Sequence, residues 1–584
     1  MIRRHMITLG VLLVAAGCSD GDATTGVIAQ VFTASGKCSP DLGGVSVDLS
    51  VGGVGSFAGA AELNCLALRG GNGSFLVIPA NANALPDVAA TFLVDIASIG
   101  VAGEYPSSPS INGPVDVDPL ERALSPLRFT ADFESRLRSK ERRLLDVGEG
   151  SAAWRATRRT GLSPSLSALA VMIGDTREFR VPDNSTGDLC DNFITILAVA
   201  RAVSNFAVVW EDTASSPNGF TSADYQAVAQ EFDDHIYPTN VEYFGEPLDL
   251  DGNGKIDILY TPEVNKLTPS GSDGFVGGFF FGGDLFPRFD ENGDPICEQS
   301  NESELFYLLA PDPTGEFGNV RTTGSVLRGT RGTVAHEFQH MINASVRLLS
   351  PDVQEFEDAW LNEGLSHFAE ELVGRDVLGL DVMHEIAFAD IAKEQDDFRD
   401  FDSFFFQNLA RFDRWLSDPV ENAPTSADAA SKLAPRGAAW AFLRYAADEY
   451  HRDTVAAFTR ALVRGPEVGV PNFVQHVGAP FEEILEGWMV ANYADDFGIP
   501  GLSERYTYRS WDMRDAEKAI NNEVYPLVPL RITETSPAVT ITPISATGEY
   551  FLVDGDVADV FRVFSQARER LTYPDARVFV LRTQ

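Results

Sequence analysis

Basic residues are scarce in this chain: 45 lysines and arginines stand against 85 aspartates and glutamates, for a formal net charge of −40. A surface this acidic is repelled by phosphate backbones, which excludes nucleic acid as a main partner. Cysteines number five, and none shows the close spacing of a zinc-cysteine site. Beyond the first twenty residues no run is long and apolar enough to span a bilayer, and no internal repeat is present. Histidines number only eight, so any regular spacing among them is informative. The remaining composition, 44% apolar and 22% charged, is ordinary for a globular protein. At 584 residues the chain exceeds one compact core and is expected to fold as several units.

The N-terminus carries Arg3 and Arg4, an apolar stretch over residues 7–16, and then Ala15-Ala16-Gly17-Cys18. This is the pattern of a signal peptide. Small residues ending at a cysteine resemble the bacterial lipobox, which implies cleavage before Cys18 and lipid attachment to its sulfur. Ser19 after it leans towards the outer membrane. The expectation is an exported lipoprotein at the outer membrane or cell surface, with the lipid as its only membrane attachment. An oxidising compartment suits the other four cysteines, paired locally as Cys38 with Cys65 and Cys190 with Cys297; the alternative is four buried thiols.

Short alternating runs such as Val45-Ser46-Val47-Asp48-Leu49 between glycine turns predict a β domain over residues 18–118, following the signal peptide at 1–17. Residues 119–161 are highly charged and predict a solvated linker helix. From 162 to 525 an α+β region is expected. Its first half is β-rich, with one helix beginning near Ser222 and ending before Pro238; its second half is helical from Gly329 to about Asp496. Residues 526–584 return to β-type runs and predict a small C-terminal β domain.

The central signal is Thr333-Val334-Ala335-His336-Glu337-Phe338-Gln339-His340-Met341-Ile342. Histidines four apart on a helix project from successive turns on one side, so both imidazoles can reach one ion. Val334, Phe338, Met341 and Ile342 form an apolar stripe roughly opposite them. Glu337 sits beside the pair, where a general base contacts a metal-activated water without being a ligand. The bland alternative is a surface helix with two solvated histidines. Catalytic zinc takes three protein ligands, so a third is sought downstream. Val346 stands where metzincins place a histidine, which disfavours that class. The next helical segment, residues 360–370, has Leu361, Leu365 and Phe368 on one side and Glu363, His367 and Glu370 on the other.

Trp360-Leu361-Asn362-Glu363-Gly364 resembles the string that carries the third ligand, a glutamate, in gluzincin metallopeptidases. More narrowly, residues 335–343, the Asp249-Leu250-Asp251-Gly252-Asn253-Gly254 loop, and Ser300-Asn301-Glu302 with Phe306-Tyr307 are together similar to hyicolysin-like secreted proteases. The resemblance covers roughly residues 162–496. It implies a multidomain protein whose α+β gluzincin-type catalytic domain is flanked by small N- and C-terminal β domains. It also implies one zinc per chain held by His336, His340 and Glu363, with Glu337 as base.

The sequence departs from the family in two places. His367 stands where thermolysin-like enzymes place an acid that orients a ligand histidine. It is either an outer partner of the ligands or exposed, and Glu370 is the alternative orienting residue. The oxyanion stabiliser is unassigned, because Pro435 and Arg436 precede Gly437 where aminopeptidase-type relatives carry a tyrosine. Tyr445, Tyr450 and His451 are candidates that also suit structural roles. Asp249, Asp251, Asn253, Lys255 and Asp257 match positions of a calcium loop, but Tyr260 stands at the twelfth, so the alternative is an Asx- and Gly-rich turn. The glycine-flanked run at 274–284 fits either an edge strand that pairs with an extended peptide or a buried strand. The expected function is zinc-dependent hydrolysis of protein or peptide substrates. Endopeptidase action is favoured because no Gly-x-Met-x-Asn element is present. The rival is a cell-surface binding protein whose metallopeptidase-like domain is inactive.

Overall fold

The computed structural model describes residues 45–63, 65–69, 73–97, 127–146, 170–183, 189–272, 275–290, 292–350, 353, 355–391, 395–521, 524–533, 536–555, 560–567 and 571–584. The expected signal segment, Cys18 and Cys38 lie outside them.

The N-terminal segment forms strands β1 (Val45–Asp48), β2 (Val54–Ala58), β3 (Leu66–Arg69), β4 (Gly73–Asn81) and β5 (Phe92–Ala97), followed by helix α1 (Leu127–Asp146). A six-stranded sheet comes next, from β6 (Thr176–Pro182), β7 (Phe193–Val203), β8 (Ala207–Asp212), β9 (Ile256–Thr261), β10 (Gly278–Phe280) and β11 (Leu305–Leu309). Its spatial order is β10-β11-β9-β8-β7-β6. Every residue of β9 is buried, as expected for a central strand running parallel to neighbours on both sides. At one edge β10 runs antiparallel to β11 and is itself buried, which fits the buried-strand reading of the glycine-flanked run.

Between β8 and β9 lie α2 (Ser222–Glu231) and α3 (Tyr237–Phe244). Thr221 and Asp224 cap the first reciprocally. The helix expected to stop before Pro238 instead passes through a π-helical turn at Phe232–Ile236, and Pro238 falls in the first turn of α3. Proline has no N–H to give the preceding turn and its ring crowds the carbonyl four residues back, and the π-helical turn stands directly before it.

The helical half contains α4 (Thr323–Leu349), α5 (Ala359–Leu378), α6 (Phe406–Ser417), α7 (Leu433–Tyr450) and α8 (Phe481–Ala494). Thr322 caps α4 by accepting from the Ser325 N–H. The predicted stripe of Val334, Phe338, Met341 and Ile342 lies in the core.

Strands β12 (Leu530–Ile532), β13 (Val539–Ile541), β14 (Thr547–Gly548), β15 (Phe551–Gly555), β16 (Val560–Phe564) and β17 (Ala576–Arg582) complete the chain. Two small terminal β domains were expected, but the two ends interleave in shared sheets. One sheet runs β1-β3-β16-β5-β13 and the other β12-β15-β4-β17-β2, with β14 on β4. The physical reason is core size: Phe75, Val77 and Val94 from one end need Phe551, Phe561 and Val578 from the other to close a shared core. The opposite faces of β4 and β17, through Leu76, Ile78, Phe579 and Leu581, join the main core.

The linker helix also departs from expectation. It forms as α1, but Phe133, Leu137, Arg138, Glu141 and Leu144 are buried rather than solvated.

Candidate metal centre

Helices α4 and α5 bring His336, His340 and Glu363 together, with ligand atoms all within 4.8 Å of one another. The two Nε2 atoms are 3.1 Å apart. Glu363 Oε2 lies 3.5 Å from His336 Nε2, and its Oε1 lies 3.8 Å from His340 Nε2. Ligands at about 2.0–2.1 Å from a tetrahedral zinc stand roughly 3.4 Å from one another, so the three spacings fit that ion.

The donor set supports the same fit. Both Glu363 oxygens are buried without a hydrogen-bond donor, an arrangement that is costly unless a cation satisfies it. Burial works against charge on His336, yet Glu363 and Glu370 raise its pKa to about 10. Burial and the Arg138 cation push His340 well below its ordinary range.

Each histidine spends its other nitrogen on an acceptor. His336 Nδ1 is 2.7 Å from Glu370 Oε1. His340 Nδ1 is 3.1 Å from Asn362 Oδ1 and 3.0 Å from Ser366 Oγ. These partners assign the protons to Nδ1 and leave the Nε2 lone pairs for an ion. His367 is buried, not exposed. Arg411 donates to its Nε2 at 2.6 Å, so its Nδ1 carries the proton that Glu370 Oε1 accepts at 2.8 Å. Burial and Arg411 lower His367 to about 3, and Glu370 falls to about 2 because His367 and His336 outweigh its burial. Glu370 is thus the acceptor shared by both imidazoles. His336, His367 and Glu370 also make a second close cluster, which uses the Nδ1 side of His336.

Glu337 is buried beside the cluster, where its Oε2 accepts the Phe280 N–H of β10 at 2.9 Å. Arg436 approaches Glu363 Oε2 with Nη1 at 3.5 Å and is itself held by the carbonyls of Ala429 and Ala430. The sequence reading passed over it, although it occupies the place where a tyrosine was looked for. The other candidates for the stabiliser role are engaged elsewhere: Tyr445 donates to the Arg505 carbonyl, and His451 stacks on Phe458. Tyr450 is not among the residues gathered here.

The calcium-type loop closes differently from the pattern. Asp251 accepts from the N–H and side-chain amide of Asn253, while Lys255 donates to the Ser204 and Asn205 carbonyls. Asn253 and Lys255 therefore close an Asx turn that feeds β9. Asp257 points into the core and accepts from Arg177, Trp210 and Ser303. The carboxylates that do converge are Asp249, Asp251 and Glu304; Glu304 was missed because it lies on the approach to β11, about fifty residues away. Burial raises Glu304 to about 8.

The Cys190–Cys297 disulfide is present as expected. Cys65 is disulfide-bonded as well. Ser300, Asn301 and Tyr307 belong to one network around the buried Asp284, while Glu302 is exposed beside it. Tyr307 donates to Asp284 Oδ2 at 2.7 Å, and the Asn301 N–H donates to Asp284 Oδ1 at 2.7 Å. This ties β11 to the turn that follows β10.

No protein-family model matches the chain. Over 155 residues, 26% of its length, the chain is 32% identical to the neutral metalloprotease ShpI of Staphylococcus hyicus. It spans about a third of that relative, 32% of its length. This partial identity and the buried His-His-Glu cluster together support a metalloprotease relationship for this chain.

Proposed function

We propose that this protein is an exported, lipid-anchored metallopeptidase that hydrolyses peptide bonds in protein or peptide substrates, acting as an endopeptidase. The observation that carries the reading is the convergence of His336, His340 and Glu363 from two helices, with Glu337 beside them. His336, His340 and Glu363 would hold zinc, which would supply a Lewis acid for the carbonyl and the attacking water. The chain's own residues do the rest. Glu337 takes the water's proton and delivers it to the leaving amine, and the Phe280 N–H fixes its carboxylate for that transfer. Glu370 and Asn362 hold the imidazoles in register, and Arg436 positions Glu363. Calcium is the cation proposed for the 249–257 loop on its sequence pattern; Asp249, Asp251 and Glu304 are the side chains that face one another there.

The test is metal analysis of purified protein alongside hydrolysis of casein, for wild type and Glu337→Gln. The expected result is one zinc per chain in both and hydrolysis only in wild type. Substantial hydrolysis by the variant would remove Glu337 from the role of base, and absence of zinc from both would overturn the reading.

A further inference from the structure

Helix α1 buries one face, on which Phe133, Leu137, Arg138, Glu141 and Leu144 recur at helical spacing. That face lies on the metal-site cleft. Phe133 meets Phe279 of β10 edge to face, with ring centroids 4.9 Å apart. Glu141 Oε1 accepts the Gly282 N–H at 2.7 Å and also accepts from Arg138 at 2.9 Å. A Cβ at Gly282 would come within 3.1 Å of the same carboxylate, so this close approach suits a glycine. Arg138 then reaches Glu337 Oε2 with Nη2 at 3.4 Å.

Three physical consequences follow. The Arg138 guanidinium stands against Glu337 Oε2, so the carboxylate of the expected base is already engaged by a buried cation. Burial works against the charge of Arg138, but Glu141, Glu337 and Glu363 outweigh it and raise its pKa, so the cation is held firmly in the cleft. Finally, a helix spends its N–H and C=O groups on its own i→i−4 bonds, so α1 fills the space without offering an extended peptide for cleavage.

We propose that residues 127–146 are a built-in inhibitor of the site, in which Arg138, braced by Glu141, clamps Glu337 while α1 covers β10. Substrate then enters only when α1 is displaced. This rests on the metallopeptidase reading above.

The test uses the full zinc-loaded chain as wild type, as Arg138→Ala/Glu141→Ala, and as Phe133→Ala. The double substitution avoids leaving Glu141 as a lone buried charge, and Phe133→Ala serves where the double variant does not fold. Two readouts are taken: kcat/KM on an internally quenched peptide, and the rate at which a chelator strips zinc. Both are expected to rise in the variants by roughly tenfold or more, the change that about 1.4 kcal/mol of lost clamp energy produces. If folded variants hydrolyse peptide and lose zinc at wild-type rates, the clamp is overturned and the peptidase reading stands. Faster zinc loss with no hydrolysis by any form keeps the clamp and refutes the peptidase reading. Unchanged zinc loss with no hydrolysis by any form overturns both.

Discussion

Glu370 is the acceptor on which the histidine geometry depends, because it accepts hydrogen bonds from both His336 and His367. Glu370→Gln is expected to keep the fold while lowering zinc affinity by roughly 10–100-fold, read by competition with a chromophoric chelator; unchanged affinity would show that His336 needs no such partner. Asp284 offers a pH test. Burial, partly offset by Tyr307 and Asn301, raises it from 3.8 to about 7. The folded chain therefore holds this proton where the unfolded chain releases it. Its stabilising contribution is complete below about pH 4 and is lost as pH rises towards 7, with roughly 4 kcal/mol as the upper bound. Asp284→Asn should flatten that part of the urea-midpoint profile, and a slope equal to wild type would remove Asp284 as its source. At this scale the two histidines and Glu337 were legible from spacing alone. Arg436, Arg411 and Glu304 were not, since each reaches its partner across a tertiary contact.

Helix α7 stands against α6 closely enough that a Cβ on Gly437 would lie 2.3 Å from the Arg411 carbonyl carbon and the Phe412 nitrogen. Gly437→Ala must push the two helices apart, at an expected cost of about 1–3 kcal/mol in a urea melt. Because Arg436 and Arg411 flank that contact, the same substitution should lower zinc affinity along with stability. Loss of stability alone would mean that the helix spacing does not transmit to the ligands. Element types followed from periodicity, whereas one boundary and one environment did not. The π turn before Pro238 leaves no period of its own in the sequence. The charge of α1 pointed to solvent, although Arg138 and Glu141 neutralise one another and are buried together.

The whole molecule is tied together through its ends. β17 lies between β4 and β2, and β16 between β3 and β5, so the terminal segments form one unit. A chain ending at residue 525 is expected to lose the N-terminal strands' protection against limited proteolysis, with a lowered melting temperature; an intact protease-resistant N-terminal fragment would overturn the shared-sheet assignment. The apolar stripe of α4 and the metal-type spacing of its histidines were written in the sequence, because a helix converts spacing directly into direction. So was the β character of both ends, while the Cys190–Cys297 pairing was one of two alternatives until the structure showed it. Only the tertiary structure decided that the two ends share sheets and that α1 lies on the cleft. Strand partners and buried ion pairs are chosen by which surfaces meet, and residues hundreds of positions apart leave no local pattern to announce that choice.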